Sequence, residues 1–177
     1  LSSSDADNSI CSGQNIVFSA SGGSTYLFYL DATPQGAPSF SNEWMTSGLE
    51  EGNEISVLVI TSQGCKDSIS TGAFTVFESP DITLNSSVTS PSICSGDNVE
   101  FTAVGAPVFE YFLDGQSLGV TSSSVVNIDS LENAEPVFVL GTSSQGCTDT
   151  SNIISYNVFQ SPLVSLFNYD DTTLCID

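Results

Sequence analysis

The chain has 177 residues, of which 21 are Asp or Glu, one is Lys or Arg and none is His, so its formal net charge is −20. Nucleic acids and anionic lipid surfaces attract proteins through Lys and Arg, and Lys66 is the only such residue here, so we expect no nucleic-acid partner. The lack of His excludes His-based acid–base catalysis and His-ligated metals, whereas catalysis by carboxylates alone stays open.

The remaining composition predicts a folded β protein rather than a disordered chain. Hydrophobic residues make up 40% of the chain, charged residues make up 12%, and Phe occurs 11 times. Disordered chains of high net charge have few hydrophobic residues. Val, Ile, Thr, Phe and Tyr favour strands, and Ser, Thr, Asn and Gly supply most of the polarity. No apolar run approaches the ~18 residues of a membrane-spanning helix, so we expect no direct membrane insertion.

The chain contains an internal repeat of about 82 residues. The motif Ser-Ile-Cys-Ser-Gly at 9–13 returns at 92–96. The motif Ser-Gln-Gly-Cys at 62–65 returns at 144–147. Cys, Gly, aromatic and Pro positions stay aligned between the two copies, which chance similarity would not produce. A unit of this length is too long for a solenoid repeat and is typical of a small domain.

Both ends of the chain align with the interior of the repeat. Leu1 aligns with Leu84, so we expect the first copy to lack its opening residues. Cys175 aligns with Cys94, so the C-terminal segment resembles the start of a third copy. The predicted domains are a first repeat at 1–79, a second repeat at 80–161, and the first strand of a third repeat at 162–177.

Alternating apolar residues and turn signals predict about seven short strands per repeat. In the second copy we expect strands at 82–88, 98–104, 108–113, 118–120, 125–129, 136–143 and 152–159. No segment has a sustained helical period with caps, so we expect almost no helix. Seven short strands in a domain of this size predict an all-β fold of tandem immunoglobulin-like β-sandwiches.

Four of the five cysteines follow the repeat, as Cys11 and Cys65 in the first copy and Cys94 and Cys147 in the second. The similar spacing within each copy predicts one disulfide per domain, near one end of the sandwich, although five cysteines allow other pairings. A metal site or a redox-active pair is disfavoured because the chain has no His and no Cys-x-x-Cys motif. We expect Cys175 to be unpaired. Disulfides imply an oxidising compartment and therefore export.

The carboxylates offer two further readings, calcium binding and catalysis. Asp5 and Asp7 have the spacing of calcium ligands, and oxygen ligands are all that the chain can offer. The second copy has Val88-Thr89-Ser90 at the corresponding place, so the pattern is not repeated. Glu50, Glu51 and Glu54 crowd one loop, where solvated charge is more common than a catalytic pair facing a cleft. We expect no resident cofactor, no metal and no enzymatic activity, and keep Ca²⁺ at Asp5 and Asp7 as the alternative.

The pattern Ile-Cys-Ser-Gly-x-Asn-Val-x-Phe-x-Ala at 93–103, with the later Gln-Gly-Cys-x-Asp and Val-Phe-x-Ser-Pro, resembles a known family. It is similar to the tandem immunoglobulin-like repeats of large Bacteroidota cell-surface adhesins of the gliding-motility SprB type. That resemblance implies export by type IX secretion and an extracellular, cell-surface location. It also implies O-glycosylation of Asp-(Ser/Thr)-(Ala/Ile/Leu/Met/Val/Thr) motifs, which occur in this chain at Ser68, Ser130 and Thr172.

These features together predict a non-catalytic repeat segment of an extracellular adhesin, which forms an extended, disulfide-stapled stalk for surface attachment or gliding motility. The expected partners are neighbouring repeats of the same chain, and beyond them surface polysaccharide or the secretion and motility machinery. Two alternatives stay open. The repeats could be spacer modules of a secreted polysaccharide-degrading enzyme, or a calcium-dependent cell-contact module.

Overall fold

The structure is a computed structural model that describes residues 1–164, in which every regular element is a strand. No helix in this part of the chain is long and apolar enough to cross a membrane. The predicted third repeat therefore lies outside the described residues except for 162–164.

The strands form two groups along the chain. Those of the first group are β1 Ser2–Ser3, β2 Ser9–Cys11, β3 Ile16–Ser19, β4 Thr25–Leu30, β5 Thr33–Pro34, β6 Glu43–Thr46, β7 Ile55–Ile60, β8 Lys66–Ser70 and β9 Thr75–Phe77. Those of the second group are β10 Thr83–Ser86, β11 Ser92–Cys94, β12 Val99–Val104, β13 Val108–Leu113, β14 Gln116–Thr121, β15 Val125–Ile128, β16 Val137–Thr142, β17 Thr148–Thr150 and β18 Asn157–Phe159.

Strands pair only within β1–β9 or within β10–β18, and the two groups have the same topology. Each group has a three-stranded sheet, β1-β3-β6 or β10-β12-β15, and a four-stranded sheet, β5-β4-β7-β8 or β14-β13-β16-β17. A parallel pair, β2 with β9 or β11 with β18, closes one side. This arrangement confirms the predicted all-β fold of immunoglobulin-like sandwiches. The exact domain boundaries stay predictions.

Each repeat has nine strands where the sequence predicted about seven. The two strands missed in the second copy are β11 and β17, both of three residues. Such short strands cannot show the alternation of buried and exposed residues on which the prediction rests. The last predicted strand, 152–159, is shorter in the structure, where β18 comprises Asn157–Phe159.

Each sandwich has its own apolar core, built from the inward positions of alternating strands. In β12, Val99, Phe101 and Ala103 are all fully buried, as their alternation predicted. The first repeat has Phe18 in the corresponding strand, stacked against Trp44 with ring centroids 5.7 Å apart. The remaining members of each core come from both sheets, so the sheets are held face to face by apolar burial.

Gly105 shows how closely the chain packs where it enters the second repeat. Its φ of +112° is a conformation that side chains rarely adopt, and a Cβ there would lie 2.0 Å from the carbonyl oxygen of Asp81. The corresponding Gly22 also has a positive φ, but a Cβ there would meet open space. Glycine at 105 therefore allows the entering chain to lie directly on the second sandwich.

Tyr111 carries a buried hydroxyl without a hydrogen-bond partner of normal geometry. Its counterpart in the first repeat is Phe28, which fills the same core position without an oxygen. Burial raises the pKa of the Tyr111 hydroxyl above its ordinary value, and the neighbouring backbone of Ala103 opposes that shift. The hydroxyl is thus desolvated without full compensation.

We expect Tyr111→Phe to leave the second repeat equally stable or to stabilise it by about 1 kcal/mol, because an unpartnered buried hydroxyl costs about 1–3 kcal/mol. The reciprocal change, Phe28→Tyr, should destabilise the first repeat. Urea unfolding monitored by fluorescence measures both. A clear loss of stability in Tyr111→Phe would mean that the hydroxyl makes a favourable hydrogen bond.

Candidate functional site: the junction between the repeats

The first cysteine of the first repeat lies at the end of the sandwich from which the chain leaves. Cys11 ends β2, and the parallel pairing of β2 with β9 places it beside Phe77, the last residue of β9. The loop after it is fixed by two hydrogen bonds. The Ser12 N–H donates to the Phe77 carbonyl (2.8 Å), and the Cys11 N–H donates to Gln14 Oε1 (3.1 Å). Cys11 therefore faces the second repeat.

The second cysteine of each repeat lies at the opposite end of its sandwich. Cys65 closes the turn between β7 and β8, and β7 ends at Ile60, which pairs with Thr25 at the start of β4. In the second repeat Cys147 occupies the same turn between β16 and β17. Because the chain enters each sandwich at this end, Cys147 faces the first repeat.

A disulfide joins Cys11 to Cys147, with an S–S distance of 2.07 Å and a Cα–Cα distance of 5.6 Å. The predicted pairings Cys11–Cys65 and Cys94–Cys147 are therefore wrong in this structure. The two cysteines of a repeat are separated by the length of a six-residue strand, about 20 Å, whereas a disulfide needs a Cα–Cα distance of about 4.4–6.8 Å.

The junction around this disulfide is narrow. Cys147 is fully buried, and its sulfur lies 3.8 Å from the Phe77 carbonyl oxygen. A disulfide sulfur carries no hydrogen to donate, so this approach is a van der Waals contact. Among residues 1–164, no strand of one repeat packs extensively against a strand of the other. The disulfide and the short linker from Glu78 to Ile82 are the covalent connections between the two sandwiches.

The two calcium candidates, Asp5 and Asp7, bind backbone N–H groups of their own loop. Asp5 Oδ1 accepts from Asp7 N–H (3.3 Å) and Ser9 N–H (3.2 Å), and Asp7 Oδ1 also accepts from Ser9 N–H (3.1 Å). No group of three or more acidic, Cys or His side chains within residues 1–164 is arranged to hold a metal ion. These carboxylates have a structural use, and whether they also bind Ca²⁺ stays a prediction.

Other carboxylates follow the same pattern. Glu51 Oε2 accepts from Val76 N–H (2.6 Å), and Asp31 Oδ1 accepts from Glu54 N–H (2.9 Å). No charged side chain among the described residues is buried. Of the three carboxylates in the crowded loop of Glu50, Glu51 and Glu54, the one of Glu51 therefore ties the loop to β9.

Two of the three glycosylation candidates lie within the described residues. Ser68 is exposed on β8, an edge strand of its sheet, and Ser130 is exposed in the loop that follows β15. Asp67 Oδ1 accepts from Ser68 N–H (2.8 Å), and Asp149 Oδ1 accepts in the same way from Thr150 N–H (2.7 Å). Thr172 and Cys175 lie outside the described residues. Modification of these sites stays a prediction.

A scan against protein-family models finds no match, and a search of curated proteins finds none either. Among solved structures, the fibronectin(III)-like modules of Clostridium thermocellum CbhA are 14% identical, with a TM-score of 0.43 over 85% of this chain and 89% of that chain. Murine CEACAM1b is 11% identical, with a TM-score of 0.39 over 86% and 96%. A 1.5-MDa bacterial ice-binding adhesin is 15% identical, with a TM-score of 0.37 over 88% and 62%. Similarity this low does not indicate what the chain binds.

Cys11→Ser should widen the range of angles between the two repeats, because it removes the constraint that the narrow interface cannot replace. Small-angle scattering of the oxidised protein is expected to show a broader distribution of inter-repeat distances in this variant. Reduction of the native protein should have the same effect. Cys94→Ser is the matched control, since Cys94 holds the same repeat position outside the junction. An unchanged scattering profile in Cys11→Ser would contradict this assignment.

Removal of Ca²⁺ with a chelator should leave the thermal midpoint of the protein unchanged. A site saturated at 100 times its Kd would contribute about 2.7 kcal/mol, which corresponds to several degrees. Differential scanning calorimetry with and without chelator measures the difference. A large drop that disappears in the Asp5→Asn, Asp7→Asn double variant would establish calcium binding there.

Proposed function

We propose that this chain is a non-catalytic segment of an extracellular, adhesin-type protein, in which it serves as a covalently braced stalk. The single observation that carries the proposal is the Cys11–Cys147 disulfide, which joins successive sandwiches instead of closing each one. Such a bond lets tension pass from one repeat to the next without unfolding the chain between the two sulfurs. A structural disulfide also requires an oxidising location, which supports export.

The charge distribution supports an extended rather than a collapsed shape. Nine of the acidic residues fall in 1–79 and nine in 80–161, so each repeat carries a similar negative charge. Like charges spread over neighbouring domains repel one another and keep the protein soluble. One Lys in the whole chain leaves almost no opportunity for ion pairs between repeats.

The finer assignment rests on the sequence motifs alone. We propose a cell-surface adhesin of the gliding-motility type, exported by type IX secretion, on the basis of the repeated Ile-Cys-Ser-Gly and Gln-Gly-Cys motifs at 93–96 and 145–147. Neighbouring repeats are the immediate partners, and surface polysaccharide and the motility machinery are the proposed distant ones. The exposed positions of Ser68 and Ser130 make both accessible to a glycosyltransferase.

The proposed role in transmitting tension predicts a large difference in extension between the oxidised and reduced protein when its two ends are pulled apart. The disulfide encloses a sequence separation of 136 residues, which at up to ~3.6 Å per residue hides roughly 490 Å of chain. Single-molecule force spectroscopy should therefore find a short maximal extension for the oxidised protein and a far longer one after reduction.

The controls for this measurement are two single variants. Cys11→Ser should extend like the reduced protein under oxidising conditions, whereas Cys94→Ser should extend like the oxidised native protein. An oxidised native protein that extends as far as the reduced one would refute the proposed role, because the disulfide would then carry no load.

A further inference from the structure

Two cysteines of the described residues, Cys65 and Cys94, are exposed and lie outside the disulfide. They occupy the outer ends of the pair of sandwiches. Cys65 lies in the turn at the entry end of the first repeat, and Cys94 lies at the exit end of the second. The chemistry open to Cys65 and Cys94 is indicated by their counterparts, Cys147 and Cys11, which form the disulfide between the repeats.

Cys94 has the backbone surroundings of Cys11. It ends β11, whose parallel pairing with β18 places it beside Phe159. The Ser95 N–H donates to the Phe159 carbonyl (2.7 Å), and the Cys94 N–H donates to Asp97 Oδ2 (2.8 Å). Both bonds reproduce those that fix the loop after Cys11. The exit end of the second repeat therefore presents its thiol as the first repeat presents the bonded sulfur.

Cys65 likewise has the surroundings of Cys147. The Thr61 N–H donates to the Cys65 carbonyl (2.9 Å), as the Ser143 N–H donates to the Cys147 carbonyl (2.8 Å). The Cys65 N–H donates to Thr61 Oγ1 (3.1 Å), and the Cys147 N–H donates to Ser143 Oγ (3.1 Å). The two turns are the same element, one at a junction and the other at an outer end.

Burial separates the two outer positions from the two at the junction. Cys147 is fully buried where the first repeat covers it, whereas Cys65 is exposed. Phe77 is half-buried at the junction, whereas its counterpart Phe159 is 63% exposed. Corresponding side chains are thus buried where two sandwiches meet and exposed at the outer ends.

The exit end of the second repeat also carries a surface groove. A surface groove of about 580 Å³ lies beside Cys94 and is lined by its neighbours Ser95 and Gly96, by Val158 of β18 and by the loop around Leu131. The groove lies at the same end of the sandwich as the exposed ring of Phe159.

We propose that Cys94 and Cys65 are the two halves of further inter-repeat disulfides, each formed with another repeat of the same type. Cys94 bonds to the second cysteine of a repeat that docks at the exit end, and Cys65 bonds to the first cysteine of a repeat that docks at the entry end. Formation transfers two electrons and two protons from the paired thiols to an oxidant of the disulfide class, which leaves as two thiols. This inference does not depend on the adhesin role.

The test uses the full chain in two variants, both with Cys175→Ser so that the fifth cysteine takes no part in the pairing. Cys65→Ser keeps only the exit-end thiol, and Cys94→Ser keeps only the entry-end thiol. Each is incubated alone, and the two are then mixed in oxidised and reduced glutathione so that bonds can rearrange to the most stable pairing. Non-reducing electrophoresis and mass spectrometry of the linked peptides identify the products.

We expect the mixture to form a heterodimer linked between Cys94 and Cys65, in about tenfold excess over either homodimer. Random pairing would give a heterodimer only twice as abundant as each homodimer. Homodimers formed in those random proportions would overturn the proposal, because a thiol without a specific docking partner pairs with any other. A peptide joining Cys11 to Cys65 in the monomer band, and so within one chain, would overturn the junction itself.

If separate chains do not associate, a tandem chain tests the proposal instead. It consists of residues 1–165 followed directly by residues 1–177. It keeps the repeat register, since position 166 aligns with Leu84 and Leu1. With Cys175→Ser, we expect Cys94 of the first half to bond with Cys65 of the second half, a reaction favoured by the high effective concentration of linked domains. If both cysteines remain thiols after oxidation, the proposal is refuted.

Discussion

The parallel pairing of β2 with β9 determines the end of the first sandwich at which Cys11 lies, and the junction depends on that position. β2 comprises only Ser9–Cys11, yet it places the sulfur next to Phe77, where the chain leaves the repeat. The turn after β16 holds Cys147 at the facing end of the second repeat. Where these two ends meet, the covalent bond limits the relative motion that is otherwise expected of domains without a large apolar interface.

The position of the disulfide determines which repeats it stabilises. In the loop-entropy description, a bond closing the 54-residue interval from Cys11 to Cys65 would contribute about 4 kcal/mol, and the observed one, which spans a separation of 136, about 5 kcal/mol. The difference between these values is small. What changes is that a bond within a repeat would stabilise that repeat alone. The bond between Cys11 and Cys147 restricts the unfolded chain of both repeats and so couples their stabilities.

The repeat and the sandwich could be predicted from sequence, because they depend on features that recur along it: alternating apolar residues, turn signals and aligned Cys-Ser-Gly motifs. The pairing could not be obtained from cysteine spacing, since bonds within repeats and bonds between repeats produce the same periodic pattern. Strand direction was the missing signal. β3 starts at the end where Cys11 lies, and β7 runs in the same direction, so it ends at the opposite end, next to Cys65. The parallel β2 and β9, three residues each, were too short to be recognised.

The covalent junction also explains how so acidic a chain can be built from neighbouring domains. The 18 acids of residues 1–161, nine in each repeat, lie at the surface, and a single Lys cannot neutralise them. Repulsion between exposed charges is screened within about 8 Å at physiological salt, so it is strongest where two repeats approach each other. A noncovalent junction would have to overcome that repulsion with apolar contact, and among residues 1–164 no strand of one repeat packs extensively against a strand of the other. A disulfide, once formed, does not depend on the charge around it, so it keeps the two repeats joined although their charges repel each other.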